Sequence, residues 1–352
     1  MMGMWLGQVG AVIRLEMKKT FFSKRGLWVY LVALAPAGIM FLHSMIELTR
    51  LEERQALAQA KPVSTEALSS IQPGMTDTEV EERLGSPQRE GAGPRRIRKT
   101  YYYTDGTDSY EFLFNNGKLI VTQIRKRDTI GLDKQIFATV FQFFYLRLAI
   151  FFGCVGVFTN LFRGELLDKS LHYYLLTPLR REVLVIGKYL AGLIATIVIF
   201  CTSTVLQLWA LSLHFEKTEI AEYLNGDGWS HVAAYVGVTA AACVGYGSVF
   251  LAAGLLFKNP IVPAAVVETW ESLNIFLPAA LKKVSVIYYL QSLCPVVAQP
   301  DENMNALLKL LINAAEPVSV PVALIGLLVV TLALLAWSGS LAKRLEINYS
   351  TD

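Results

Sequence analysis

Three ionisable side chains interrupt long apolar stretches of the sequence: Arg147, Glu268 and Glu271. A charge at the centre of a membrane-spanning helix costs about 2.5–3.5 kcal/mol on insertion scales, so such residues often mark a functional site. Glu268 and Glu271 are three positions apart and therefore share one face of a helix. All three side chains are candidates for the polar lining of a path through a membrane.

Each candidate also has a structural interpretation. A short or broken helix, which Pro263 and Pro278 favour, would place the two glutamates in an interface or a water-filled vestibule. A span that begins after Arg147 would let its guanidinium reach outward to water. The sequence leaves both interpretations open.

Other chemistry is not indicated. His43 lies near the end of an apolar run, where we expect a membrane interface, and His172 has no metal-ligating neighbour at useful spacing. Four cysteines without paired spacing exclude a disulfide scaffold and a zinc ribbon. The sequence contains no G-x-x-x-x-G-K-[ST] phosphate-binding loop. We therefore expect no catalytic residue, no metal and no cofactor in this chain.

The composition is that of an integral membrane protein. Of 352 residues, 53% are hydrophobic and 17% are charged, and the mean hydropathy is +0.42. Soluble domains carry about 25% charged residues, so a soluble enzyme and a disordered chain are both excluded. The net charge of +3 is small and spread out, which argues against a nucleic-acid partner.

Apolar runs of about 20 residues predict helices that cross the bilayer. Six such runs lie at 27–46, 136–162, 183–213, 232–257, 261–281 and 318–341. The fifth is the weakest, because it contains two prolines and two glutamates. We predict an α-helical polytopic membrane protein with six transmembrane helices, of which helices two to six lie in 136–352.

Basic residues predict the orientation of these helices. Lys and Arg concentrate in residues 1–26, in the loop 160–182, at Lys258 and after the last span, whereas the loop 214–230 is acidic. Short cytoplasmic loops are enriched in Lys and Arg. We therefore expect a multi-pass protein of a bacterial cytoplasmic (inner) membrane, with both termini in the cytoplasm.

The N-terminal segment 4–22 is patterned but is not a span. Trp5, Val9, Val12 and Met17 recur at helical spacing, and basic residues fall largely on the other side. This predicts an amphipathic helix lying along the inner leaflet of the bilayer. A basic leader with accidental periodicity is the alternative.

The loop 160–182 carries the most informative motif. It predicts a short amphipathic helix, followed by Thr177 and Pro178 at the start of the next helix. The full pattern comprises Glu165, Leu175, Leu176, Thr177, Pro178, Leu179, Arg180, Glu182, Gly187 and Lys188. Together with the interfacial helix, the six spans and the large outer loop, this pattern resembles the type-2 ABC transporter permeases. A membrane anchor with an ordinary basic loop is the alternative.

This resemblance implies a coupling helix that docks on a separate ATP-binding subunit. The implied contact residues are Glu165, Leu171, Leu175, Leu176, Thr177, Pro178 and Arg180. It further implies a homo- or heterodimer of permeases, with ATP and Mg²⁺ bound by two partner subunits, and export of a substrate. In the segment 282–317 it implies a re-entrant pair of short outer helices.

The segment 47–135 predicts a small extracytoplasmic α+β domain on a helical stalk. It holds nearly half of the charged residues, balanced in sign. A capping box at Thr76 and Glu79 begins a helix, and strands are predicted at 97–103, 110–114 and 118–124, the last two joined by an Asn-Gly turn. The motif residues are Ile71, Pro73, Gly74, Met75, Thr76, Glu79, Val80, Leu84, Gly85 and Pro87. They resemble the BamE-like (SmpA/OmlA) domain, which implies an extracytoplasmic protein partner.

The sequence therefore favours the membrane subunit of an ABC exporter whose ATPase is a separate chain. The main alternative is a membrane scaffold whose outer domain organises an envelope complex. An intramembrane enzyme would need a convergent catalytic set at membrane depth, and only Glu268 and Glu271 approach one.

Overall fold

The computed structural model describes residues 2–22, 26–92, 98–167, 180–257, 259–296 and 318–343. The chain forms two compact units. The first comprises residues 1–40, 134–210 and 216–352, and the second comprises residues 41–133 and 211–215. The predicted outer domain falls almost entirely within the second unit.

Helices account for most of the described residues. In chain order they are α1 (Met2–Phe22), α2 (Leu27–Ala60), α3 (Thr65–Ser69), α4 (Asp77–Leu84), α5 (Ile130–Thr139), α6 (Phe151–Leu167), α7 (Arg181–Leu211), α8 (Lys217–Tyr223), α9 (Trp229–Leu256), α10 (Ile261–Leu273), α11 (Ala279–Lys282), α12 (Val286–Leu293) and α13 (Val320–Lys343). A π-helical segment, Val140–Ile150, joins α5 to α6, and a 3₁₀ turn, Ser212–His214, follows α7.

Among the residues that the structure describes, five helical segments are long and apolar enough to cross a membrane, as in a multi-pass membrane protein. They are Leu27–Ala60, Ile130–Gly164, Arg181–His214, Lys217–Leu256 and Val320–Lys343. They correspond to five of the six predicted spans. In α13 many large apolar side chains are exposed, as lipid contact requires.

The predicted fifth span, 261–281, is not a continuous helix of spanning length. Helix α10 has 13 residues, or about 20 Å, against a hydrocarbon core of about 30 Å. A 3₁₀ turn follows it, and Leu277 then leaves the helical conformation immediately before Pro278. Proline disfavours the α conformation of the residue before it, which explains the break.

Close packing in the first unit depends on small residues of α9. A Cβ at Gly247 would lie 2.5 Å from the Phe158 ring, and one at Gly254 would lie 3.0 Å from Cα of Thr159. Glycine therefore lets α9 approach α6 closely, which is a common way for helices to associate in membranes.

The second unit contains a four-stranded antiparallel meander in the order β1-β2-β3-β4. Its strands are β1 (Arg89–Ala92), β2 (Arg98–Thr104), β3 (Ser109–Asn115) and β4 (Lys118–Arg125). Three strands were predicted, and β1 is additional. Its sequence, Arg-Glu-Gly-Ala, lacks the β-branched and aromatic residues that indicate a strand.

Local signals in this unit are confirmed. Thr76 and Glu79 form the predicted capping box of α4, and Gly85 closes the helix with φ of +80°. Asn116 and Gly117 both have positive φ between β3 and β4, as the Asn-Gly turn requires.

The core of this unit lies between the helices and one face of the sheet. Val80 of α4 and Phe112 of β3 are fully buried there, with Leu68, Tyr103 and Phe114 almost fully buried beside them. Burying an aromatic or branched side chain stabilises a fold by about 1.5–3 kcal/mol, so these contacts dominate the stability of the unit.

Helix α2 continues past its apolar part as a stalk, as predicted, and ends at Ala60. Its 34 residues span about 51 Å, more than the hydrocarbon core needs. The stalk contacts the sheet of the second unit: Arg54 donates to the Thr107 carbonyl at 2.9 Å, and Arg89 pairs with Glu53 at 3.2 Å.

Candidate functional site

Arg147 lies in the π-helical segment of the first unit and is 7% exposed. Its Nε has no hydrogen-bond partner among the described residues. π-Helical turns are rare and often occur at functional sites, since they displace side chains from the regular helical pattern. The guanidinium therefore does not reach outward to water, in contrast to one of the two interpretations of the sequence.

Glu271, at 5% exposure, has a defined structural role. Its carboxylate accepts hydrogen bonds from Ser285 Oγ at 2.6 Å and from the backbone N–H groups of Val286 and Ile287 at 3.0 and 2.8 Å. These donors lie at the N-terminus of α12, where the helix leaves its first N–H groups without partners. Glu271 thus caps α12 from the neighbouring helix α10.

Glu268 is half-buried one turn earlier in α10 and accepts one long hydrogen bond, from Ser272 Oγ at 3.4 Å. Arg147 lies within electrostatic range of both glutamates and of the Tyr246 hydroxyl. In the part of the chain that the structure describes, Arg147 forms no ion pair within 4.0 Å of either carboxylate. The structure therefore brings the three predicted residues together without neutralising them directly.

Tyr246 is an addition that the sequence did not indicate. It is fully buried, and its hydroxyl has no hydrogen-bond partner among the described residues. A buried hydroxyl normally finds a partner, so it is available to a bound water or polar group. A tyrosine within an apolar run carries no charge, so a search for charged residues passes over it.

Most of the predicted coupling residues lie outside the described residues: Leu171, Leu175, Leu176, Thr177 and Pro178. Glu165 lies near the end of α6, but its side chain is not among those described. Arg180 is exposed and directly precedes α7. The coupling role therefore stays a prediction, and the structure defines only the flanks of the loop.

Lys188 is central to those flanks, because its ammonium group is fully buried. Nζ donates to Glu16 Oε1 of α1 and to the Leu161 carbonyl of α6, both at 2.7 Å. It also lies 5.3 Å from the centre of the Phe162 ring. One side chain of α7 therefore joins the N-terminal helix to the helix that enters the loop.

The neighbouring Gly187 explains how α1 reaches α7. A Cβ at this position would lie 2.8 Å from two atoms of Val12, closer than real contacts allow. Val12 is buried and Arg14 is exposed, whereas Leu15 is exposed and Glu16 is buried, so the amphipathic character of α1 stays a prediction. The Gly-Lys pair of the motif therefore has a packing role and an ionic role.

The start of α7 is also joined to the end of α13. Arg181 donates to the carbonyls of Ala342 and Lys343, at 3.2 and 2.8 Å, and Glu182 pairs with the Lys343 ammonium group. Hydrogen bonds to charged groups contribute about 1.5–3 kcal/mol when they are desolvated, and less on a surface. A displacement of the loop end would therefore act on two long helices together.

In the second unit, a cleft of about 640 Å³ lies between the stalk and the sheet. Arg50 and Arg54 of α2 line one side, and Tyr102, Gln123 and Arg125 line the other. The same unit brings together His43, Asp133 and His214, which are far apart in sequence and follow no spacing motif. His43 was expected only as an interfacial residue.

The chain matches no protein-family model, no curated protein and no solved structure.

Proposed function

We propose that this chain is the membrane subunit of a type-2 ABC transporter, most simply an exporter. Two copies, or this chain and a related one, would form the path within the lipid bilayer, and two ATP-binding subunits would bind ATP and Mg²⁺. The proposal rests on the motif between the second and third long helices and on the buried contacts at the ends of that loop.

The observation that carries the proposal is the position of Gly187 and Lys188. Both belong to the motif, and both hold α1 against α7, while Lys188 also binds the Leu161 carbonyl at the end of α6. A loop whose two flanks are joined in this way moves α1, α6 and α7 as one body. Coupling to a cytoplasmic ATPase requires such a connection, because a flexible flank would absorb the movement.

Arg147, Glu268 and Tyr246 are the candidate lining of the path. Among the described residues, Arg147 and Glu268 form no ion pair with each other and the Tyr246 hydroxyl has no hydrogen-bond partner. The Glu271 carboxylate, in contrast, accepts hydrogen bonds from the start of α12. Glu268 is the one of the three that is partly exposed, so it is the group that would contribute directly to a polar lining of a passage through an apolar bundle, with the buried Arg147 and Tyr246 behind it.

The test uses the assembled complex in lipid nanodiscs. Alanine at both Glu165 and Arg180 is expected to keep the protein folded in the membrane while abolishing its stimulation of the ATPase subunit. Arg125, an exposed arginine of the outer unit, gives the matched control Arg125→Ala, which should leave stimulation unchanged. Normal assembly and normal coupled hydrolysis in the double variant would show that the loop is not the coupling element.

A scaffold function is the second candidate, and one feature of the second unit favours it. Ile120, Val121 and Ile124 are 47%, 40% and 52% exposed on β4, an edge strand. Exposed apolar edge strands are sites of strand pairing unless they are covered. An extracytoplasmic protein that contacts this strand would make the chain part of an envelope complex.

The two functions give opposite results in cells. If the chain is a scaffold, Val121→Lys with Ile124→Lys should abolish its cellular role, whereas the Glu165 and Arg180 alanine variant should retain it. If it is a permease, the loop variant should lose function even when the strand is intact.

A further inference from the structure

Two imidazoles and one carboxylate meet within the second unit. One ligating atom each from His43, Asp133 and His214 can be chosen so that all three lie within 4.8 Å of one another. His43 Nε2 lies 3.6 Å from Asp133 Oδ1, and His214 Nε2 lies 3.1 Å from Asp133 Oδ2. The residues come from α2, from the first turn of α5 and from the 3₁₀ turn after α7.

These separations are those of ligands around a small cation. Zn²⁺ holds nitrogen and oxygen ligands at about 2.0–2.2 Å, so neighbouring ligand atoms of a tetrahedral site lie about 3.3 Å apart. The two nitrogen–oxygen distances here bracket that value. The third pair, the two imidazole nitrogens, lies within 4.8 Å, so a cation that bound all three residues would draw the two rings closer together.

The four atoms of the cluster that face one another have no hydrogen-bond partner among the described residues. Both carboxylate oxygens of Asp133, and Nε2 of each histidine, are buried without a hydrogen bond. Asp133 is 1% exposed and His214 is 8% exposed. An ionised carboxylate buried in this way is strongly destabilising unless a positive charge lies beside it.

The orientation of His214 identifies which atom faces Asp133. Ser44 Oγ donates to the Leu211 carbonyl at 3.4 Å and lies 3.1 Å from His214 Nδ1, so it can accept a proton carried on Nδ1. In the neutral tautomer that is protonated at Nδ1, Nε2 presents a lone pair to a carboxylate oxygen 3.1 Å away. Two acceptors at this distance repel each other unless a cation lies between them. A hydrogen bond on the remote ring nitrogen is also the usual support of a metal-bound histidine.

The surroundings add negative charge. Asp128 is half-buried, and its pKa is raised by burial first, then by the charges of Glu47 and Asp133, while His43 and His214 oppose that shift. Glu47 is paired with Arg50. Asp128 is a further carboxylate near the cluster, suited to approach a cation or to hydrogen-bond a water bound to it.

We propose that His43, Asp133 and His214 bind a divalent zinc ion, with water or Asp128 in the fourth position. Two imidazoles exclude Mg²⁺ and Ca²⁺ as the preferred ions, since those cations select oxygen ligands. Because the ligands come from three distant segments, the ion acts as a cross-link that holds the middle of α2, the start of α5 and the turn after α7 together. This inference does not depend on the transport proposal.

The experiment uses the full-length protein in detergent, purified through a tag without histidine, stripped with a chelator and dialysed against buffered Zn²⁺. Wild type is expected to retain stoichiometric zinc by mass spectrometry and to unfold at higher temperature than the stripped protein. Co²⁺ in place of Zn²⁺ should give the visible absorption of a tetrahedral site. His43→Gln and Asp133→Asn should each lose the zinc and the thermal shift.

His231→Gln is the matched control, because His231 lies in the other unit, where its Nδ1 is hydrogen-bonded to the Tyr223 hydroxyl at 2.9 Å. It should retain zinc and the shift. If Asp133→Asn fails to fold, His43→Gln still decides the matter, since His43 is only partly buried. Wild type without zinc, or equal zinc in His43→Gln, would overturn the site; retention of Fe²⁺ in preference to Zn²⁺ would overturn the choice of metal.

Discussion

Lys188 and Glu16, which are 172 positions apart, form an ion pair of 2.7 Å between side chains that are 0% and 3% exposed. Desolvating two charges is costly, so such a pair adds little net stability, but removing one partner leaves the other buried and uncompensated. The pair therefore matters most when it is broken.

We expect Lys188→Met to lower the free energy of unfolding by about 3–5 kcal/mol, because Glu16 would lose the buried ammonium group with which it pairs at 2.7 Å. The double variant Glu16→Met with Lys188→Met should recover much of this loss. Thermal unfolding in detergent measures both, with the exposed Arg14→Met of the same helix as a control. A double variant as unstable as the single one would contradict the role of the pair.

Substitutions of the two glutamates of α10 should have different effects on stability. Glu271→Ala removes the partner of three donors at the start of α12 and should lower stability by about 1–3 kcal/mol. Glu268→Ala removes one long hydrogen bond, so its effect on unfolding should be much smaller. If the ATPase activity of the complex depends on the path lining, Glu268→Ala changes it without changing stability. Equal destabilisation by both variants would argue against the cap.

Asp105 should make the second unit sensitive to acid. Burial acts to raise its pKa, but hydrogen bonds from Asp108 N, Thr107 N and Thr65 Oγ outweigh burial and lower the pKa. A lowered pKa in the folded state contributes stability above the unfolded value, about 3.9, which is lost as pH falls through the folded value.

Asp105→Asn should therefore lower the midpoint of thermal unfolding by a few degrees at pH 7, and the difference from wild type should shrink below pH 4. Glu66→Gln, at an exposed site in the same unit, serves as the control. A difference that stays constant over this range would exclude the contribution of the Asp105 charge.

The membrane path of residues 261–281 can be measured by labelling. Both termini lie in the cytoplasm, as proposed, only if the chain between α9 and α13 crosses the membrane once. In a background without the four native cysteines, Asn259→Cys should react with an impermeant maleimide only from the cytoplasmic side, and Ser319→Cys only from the outer side. Both positions are exposed. Labelling of both from one side would show that the segment is re-entrant and would reverse the proposed position of the C-terminus.

Local signals predicted the fold well where one segment determines its own structure. The five long apolar helices, the cap at Thr76 and the turn at Gly117 all follow from neighbouring residues. Pro278 indicated that the helix could be broken there, but the apolar composition of 261–281 suggested a sixth span. Strand β1 is held by its pairing with Tyr101 and Tyr102 rather than by its own propensity.

The site could be predicted only in part, because its contacts join distant segments. Charge and spacing drew attention to Glu268, Glu271 and Arg147. That Glu271 accepts hydrogen bonds from the start of α12 could not be predicted, because the sequence around Glu271 does not show which helix packs beside it. His43 and His214 are 171 positions apart, so no spacing rule relates them. Such a cluster exists only after the chain has folded.

The side chains of His43 and Asp133, near the two ends of the segment 41–133, approach to 3.6 Å between Nε2 and Oδ1. The chain thus departs from one place and comes back to it, which is the property of a module that can be inserted or removed without disturbing its host. A short linker between these two positions could replace everything from the stalk to β4. The module formed by residues 41–133 is therefore exchangeable in principle for a different one, or for none, on the same helices.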